Sequence, residues 1–330
     1  MKTWLPLAAT LLALVVVVLG AYTRLSDAGL GCPDWPGCYG QIGVPEGAEE
    51  VSAANQAYPD RPVEASKAWK EMIHRYAAGL LGLLVLFMFI RAWTVFPAQR
   101  LFTTGLLILV TFQALLGMWT VTLLVKPLVV TGHLIGGMAT VSLLWLLVLQ
   151  RSGSFYRAAD LSAAQRKLPL LMLVVLILQI LLGGWTSTNY AALACVGLPD
   201  CNGLWLPTMD FANGFKPWHG LGIDYEGGIL ESPARIAIHF SHRIGAIFTL
   251  LMIGGSTVLL WRSCDDQLMR RCLVAVAMVL VAQFSLGLAN VWFYLPLPVA
   301  VAHNGVAALL LMSVVTVNYL AFTNTERMPV

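Results

Sequence analysis

Long apolar segments separated by short polar ones run along the whole chain. A helix that crosses the hydrocarbon core of a bilayer needs about 20 consecutive, mainly apolar residues. Eight segments meet this requirement, so the pattern predicts an all-α polytopic membrane protein with eight transmembrane helices. The predicted bounds are Trp4 to Tyr22, Ile73 to Trp93, Leu101 to Val125, Leu128 to Leu149, Leu168 to Ser187, Ile236 to Trp261, Cys272 to Tyr294 and Pro298 to Phe322.

The first apolar segment follows Lys2 and lies where a signal peptide would lie. Its apolar run is longer than the roughly 7–15 residues of a signal peptide, and no clear small-x-small cleavage site follows it. We therefore predict that this segment is retained as a helix.

The basic residues indicate the orientation of the helices. The connections 91–100, 151–167 and 262–271 lie on one side of the predicted membrane, and the positive-inside rule assigns that side, with both termini, to the cytoplasm. The two long loops, 23–72 and 188–235, then lie outside a bacterial-type inner (cytoplasmic) membrane. The basic residues of the three connections are Arg91, Arg100, Arg151, Arg157, Arg166, Lys167, Arg262, Arg270 and Arg271.

The overall composition agrees with a membrane protein. Only 11% of the residues are charged, against about 25% in soluble domains, and 58% are hydrophobic. The mean hydropathy is +0.76. A formal net charge of +3, without a basic tract that contains aromatic residues, gives no reason to expect nucleic acid as a partner.

Unusual residues of the first half recur in the second half at a nearly constant spacing of 163 to 170 positions. This spacing predicts two copies of a four-helix unit, residues 1–150 and 151–330, related by an axis along the membrane normal. The matched positions are Gly20 with Gly183, Cys32 with Cys195, Cys38 with Cys201, His74 with His242, Arg75 with Arg243, Gln113 with Gln283, Gly117 with Gly287, and His133 with His303.

Each long loop contains a pair of cysteines, in the sequences CPDWPGC and CVGLPDC. The outer compartment is oxidising, and loops of this length bring two Cα atoms within disulfide reach. We predict the disulfides Cys32–Cys38 and Cys195–Cys201. A zinc site and a reactive redox role for one pair are the alternatives, although C-x-x-C spacing is absent and His219 is the only loop histidine.

Four of the six histidines occupy matched positions near the outer side of the predicted helices: His74, His133, His242 and His303. Two histidines that project inward from facing helices form a site for haem iron, with one imidazole on each face. The sequence therefore predicts two haem sites. A proton relay and ordinary helix packing are the alternatives.

Charged and polar neighbours distinguish the two predicted sites. Arg75 and Arg243 follow histidines near the polar boundary and are candidates for contacts with haem propionates. Glu71 precedes His74 by three residues, whereas His239 takes the corresponding place before His242. A carboxylate moves protons or stabilises positive charge better than an imidazole, so the first half is the predicted reactive half. The alternative interpretation of Glu71 is an exposed residue of the first helical turn, which is favourable to the helix dipole.

Several spaced motifs along nearly the whole chain together resemble the haem A synthase family. Members are eight-helix membrane enzymes, built from two four-helix halves, that oxidise a ring methyl group of haem O to a formyl group. The product, haem A, serves cytochrome c oxidase. The motifs are TRLSDAGLGCPDWPGC, EMIHR, GHLIGG, HFSHR and AHNG.

The resemblance implies a role for each half. In the C-terminal half, a haem b cofactor is expected between His242 and His303. The N-terminal half is expected to take the substrate haem at His74 and His133, with Glu71 as the catalytic acidic residue. The two loop cysteine pairs match those of the family.

The expected substrate is haem O, and the electron donor is unidentified. Haem O synthase and cytochrome c oxidase assembly factors are candidate partners. Two other functions fit paired histidines: a b-type cytochrome that oxidises quinol, which has no use for Glu71, and a haem-binding chaperone or transporter. No role is predicted for His219, His239 or the loop 39–68.

Overall fold

The computed structural model describes residues 4–152 and 161–323, and all of its regular elements in these ranges are helices. Eight of them are long and apolar enough to cross a membrane, which confirms the predicted fold class. Lys2 and Arg157 lie outside the described residues. The helices are α1 (Trp4–Leu25), α2 (Ala48–Ala57), α3 (Ala65–Thr94), α4 (Arg100–Thr122), α5 (Pro127–Arg151), α6 (Lys167–Thr188), α7 (Phe211–Gly214), α8 (Ser232–Ser263), α9 (Gln267–Trp292) and α10 (Leu297–Phe322).

All of the membrane helices except α1 begin before their predicted starts. The differences are largest for α3, which begins at Ala65 instead of Ile73, for α9, which begins at Gln267 instead of Cys272, and for α8, which begins at Ser232 instead of Ile236. The additional turns of α3 contain Lys67 and Lys70, which an apolar criterion excludes. Their backbone hydrogen bonds are made within the helix and do not depend on side-chain polarity, so the helices extend beyond their apolar segments.

The eight long helices form two groups that meet in the middle of the protein. Helices α1, α3, α4 and α5 contact one another, as do α6, α8, α9 and α10. Helices α1 and α5 of the first group contact α6 and α10 of the second. The predicted symmetry axis and the boundary at residue 150 stay predictions.

Each group has its own apolar core, and polar side chains connect the groups. Leu144 and Met88 are buried in the first core, and Leu273 and Val314 in the second. Across the middle, the Nε1–H of Trp145 donates to Thr316 Oγ1 at 2.8 Å, and the Thr131 and Thr188 hydroxyls are 3.2 Å apart. Such bonds stabilise helix association in a bilayer, where packing gains little from the hydrophobic effect.

Both predicted disulfides are confirmed. The Cα atoms of Cys32 and Cys38 are 4.8 Å apart, and those of Cys195 and Cys201 are 4.7 Å apart, with the sulfur atoms bonded in each pair. These sulfurs are not available as thiolates for zinc, which argues against the zinc alternative.

The two long loops are joined by polar contacts. The Arg61 guanidinium bonds to Asp224 and Glu226, each at 2.5 Å. Burial opposes the charge on Arg61, but the hydrogen bond to Glu226 and the carboxylate of Asp224 outweigh this effect and raise the pKa of Arg61. In addition, Lys126 Nζ lies over the Trp218 ring and donates to the Gly220 carbonyl at 2.6 Å. The second loop is therefore fixed over the first group of helices.

Replacing Arg61 with Ala should weaken this connection between the loops. Because Arg61 is only partly exposed and bonds to two carboxylates, we expect the thermal unfolding temperature in detergent to fall by about 1–3 °C at low salt. The effect should shrink at high salt, since ions screen exposed charges. Arg271→Ala, on the opposite side of the protein, is the control; equal unfolding temperatures for the two variants would contradict the proposed contact.

Candidate functional site

A cavity of about 1500 Å³ extends between the two helix groups. Mainly apolar side chains line it, and all four predicted site histidines contribute to its wall: His74, His133, His242 and His303. The structure thus brings the two predicted pairs to one compartment.

The first histidine pair joins α3 and α5. The ring centroids of His74 and His133 are 6.4 Å apart, and the ring planes are at 88° to each other. The Nδ1 atoms of both rings are buried and have no hydrogen-bond partner. Two imidazoles bound on opposite sides of one metal ion, through bonds of about 2 Å, have centroids roughly 6 Å apart. The spacing of this pair therefore suits a shared metal ion.

The second pair, on α8 and α10, has glutamine neighbours. Gln179 Nε2 lies 3.1 Å from His242 Nδ1 and donates to the His242 carbonyl at 3.1 Å. Gln283 Nε2 lies 3.2 Å from His303 Nε2, while His303 Nδ1 is buried without a partner. These amides restrict the orientation of the two rings.

A glycine on a neighbouring helix makes room for each histidine ring. A Cβ atom at any of these glycines would come within 3.5 Å of the histidine Cε1 atom, and at Gly20 within 2.9 Å. No role was predicted for these glycines, although their recurrence in both halves was the available signal. The pairs are Gly20 with His74, Gly117 with His133, Gly183 with His242, and Gly287 with His303.

Glu71 is buried beside the first histidine pair, with only 5% of its surface exposed. Its Oε2 atom accepts a hydrogen bond from the backbone N–H of Cys32 at 2.9 Å, and its Oε1 atom bonds to Arg75 at 2.5 Å. Because α3 begins at Ala65, Glu71 lies in the second turn. The alternative of an exposed first-turn residue is therefore wrong.

His239 occupies the corresponding place on α8 and is 3% exposed. Its Nδ1 atom accepts a hydrogen bond from the backbone N–H of Cys195 at 3.1 Å. The sequence gave no indication of this contact, because it joins residues that lie 44 positions apart.

The two predicted propionate-binding arginines contact the loops. Arg75 donates to the carbonyls of Pro36 and Gly37, and Arg243 donates to those of Gly197 and Asp200. Both side chains also line the cavity. A propionate contact stays a prediction for each.

The fold and the site define an integral membrane protein with paired histidines around a cavity shared by two helix groups. The chain belongs to the COX15-CtaA family, whose description is cytochrome oxidase assembly protein and whose model matches residues 2–315.

Curated relatives carry a more specific name. The chain is 47% identical to the Heme A synthase of Shewanella oneidensis, over 96% of this chain and 96% of the relative. It is 27% identical to the Heme A synthase of Methylobacterium radiotolerans, over 96% of this chain and 88% of the relative. The Heme A synthase of Cereibacter sphaeroides is 28% identical, over 97% of this chain and 87% of the relative.

Proposed function

We propose that this protein is a haem A synthase, which oxidises a ring methyl group of haem O to a formyl group. The observation that carries the proposal is the pair of rings at His74 and His133, whose centroid distance of 6.4 Å suits one shared metal ion. Both histidines line a cavity that is large and mainly apolar. The names of the relatives support the same activity.

The second histidine pair fits haem b as a cofactor. Both rings line the mainly apolar cavity, and Gly183 and Gly287 leave room for them. His242 and His303 would hold haem b, which supplies one-electron redox chemistry when bound.

The residues of the first half bind the substrate haem and act on protons or charge at the reacting methyl group. His74 and His133 hold the haem O iron, which fixes the position of the ring methyl group. Glu71 lies one helical turn before His74, and Arg75 and the Cys32 N–H fix the position of its carboxyl group. A carboxyl group in this place moves a proton or stabilises positive charge that develops at the methyl carbon.

The reaction also needs an external partner. The methyl group undergoes two successive hydroxylations, to an alcohol and then to a hydrated aldehyde that loses water. In each hydroxylation one oxygen atom of O2 is inserted into a C–H bond of the methyl carbon, and two electrons from an external donor with two protons reduce the other oxygen atom to water. Haem O synthase and cytochrome c oxidase assembly factors are the other proposed partners.

The proposed location is a bacterial-type inner membrane. Both termini would lie in the cytoplasm and the two long loops outside, because basic residues collect in the connections opposite those loops. Haem O carries a long isoprenoid tail, so lateral entry from the bilayer is the simplest route to the apolar cavity.

Pigment analysis tests the activity directly. The protein should be produced together with a haem O source, and its extracted pigments separated on a reverse-phase column. We expect haem A and haem b. Two unmodified haems b would identify an electron-transfer cytochrome, and release of unchanged haem O a chaperone or transporter; full haem loading without haem A would exclude the enzyme.

Replacing single histidines tests the assignment of the halves. His242→Ala should abolish the absorbance of haem b, because it removes one of the two proposed iron ligands. His74→Ala should retain haem b and lose the product. The opposite result in the two variants would show that the halves are assigned the wrong way round.

A glycine substitution tests the fit of the second site. A Cβ at Gly183 would lie 3.2 Å from His242 Cε1, so Gly183→Val should displace the ring and lower haem b occupancy at least severalfold. Gly254→Val on α8 is the matched control, because no heavy atom lies within 4 Å of a Cβ there. The haem b to protein ratio gives the result, and equal ratios in both variants would contradict the fit.

A further inference from the structure

The two disulfide loops are attached to helices in the same way. In each half, a side chain on a long helix accepts a hydrogen bond from the backbone N–H of the first cysteine of the loop. Four residues later on the same helix, an arginine donates to two carbonyls of the same loop. One cavity histidine lies between the acceptor and the arginine. We call each such arrangement a loop clamp; the first contains Glu71 and Arg75, and the second His239 and Arg243.

The first clamp brings loop and helix backbones into direct contact. A Cβ at Gly31, just before the disulfide, would lie 2.6 Å from the Lys67 backbone carbon of α3. Cys32, which follows, is fully buried. Its N–H therefore has no access to water, and Glu71 Oε2, at 2.9 Å, satisfies it.

The second clamp uses a chemically different acceptor for the same bond. His239 Nδ1 lies 3.1 Å from the Cys195 nitrogen, which also belongs to a fully buried residue. An imidazole nitrogen and a carboxylate oxygen share few properties apart from the ability to accept a hydrogen bond. Their common contact points to acceptance of this bond as the shared role.

We infer that Glu71 and His239 are positioning residues, each of which fixes a disulfide loop to the helix that carries a cavity histidine. Each acceptor precedes its histidine, His74 or His242, by three residues, or about one helical turn. A loop held in this way cannot shift without moving that turn. The importance of the histidine position rests on the proposed function, whereas the attachment of the loops does not.

The rate of disulfide reduction measures this attachment. The full-length protein in nanodiscs is first treated with N-ethylmaleimide, which blocks the free thiols Cys264 and Cys272 where they are accessible. A water-soluble phosphine then reduces the disulfides, and the new thiols are labelled and identified by peptide mass spectrometry. Each disulfide thus gives its own rate, and the one in the other half is an internal control for folding.

Matched variants separate hydrogen-bond acceptance from other properties of the two side chains. Glu71→Leu should speed reduction of the Cys32–Cys38 disulfide about tenfold, which is equivalent to about 1.4 kcal/mol. Glu71→Gln keeps an acceptor oxygen and should stay within about twofold of the parent. Likewise, His239→Phe should speed reduction of the Cys195–Cys201 disulfide, while His239→Asn, which places an oxygen near the former Nδ1 position, should restore the slow rate.

Three results would overturn the inference. They are parental reduction rates in Glu71→Leu and His239→Phe, failure of Gln and Asn to restore the slow rate, and equal acceleration of both disulfides by a single substitution. Absence of haem A from the parent protein would refute the proposed function but would leave these rates interpretable. Loss of haem A in Glu71→Gln with a slow reduction rate would show a chemical role of the carboxylate in addition to loop attachment.

Discussion

A polar group inside a bilayer costs several kcal/mol unless it has a partner, and this constraint governs the placement of polar side chains in the protein. Helices satisfy their own backbone groups. Beside the cavity, Glu71 bonds to Arg75 and to a loop N–H, and His239 bonds to another loop N–H. The Nδ1 atoms of His74 and His133 are among the buried polar atoms that have no partner within the protein.

The same constraint connects the two long loops to the cavity. The loop N–H groups at Cys32 and Cys195 are buried, so they need hydrogen-bond acceptors, which α3 and α8 supply. Those acceptors lie on the turns that carry the cavity histidines. The disulfide loops are therefore part of the wall of the site, and the contacts of Arg61 and Lys126 extend this ordered layer across both helix groups.

Sequence periodicity was sufficient to predict the eight helices, and the paired cysteines and histidines at matched positions predicted the disulfides and the residues that line the cavity. The early start of α3 was missed, because polar residues such as Lys67 end an apolar segment without ending a helix. Because the predicted start of α3 lay after Glu71, the burial of this residue was missed as well. His239 and Gly183 contact residues that are distant in the chain, and neither composition nor periodicity shows which distant residues meet in the folded protein.

The two loop clamps differ in net charge. Arg75 is neutralised by Glu71, whereas Arg243 has no carboxylate within 4 Å among residues 4–152 and 161–323. In a medium of low dielectric constant, an arginine without an ion-pair partner attracts an anion more strongly than one in a neutral ion pair. The replacement of one carboxylate by an imidazole thus leaves the two arginines of one compartment with different charge surroundings, and Arg243 is the better placed of the two to meet an anionic group.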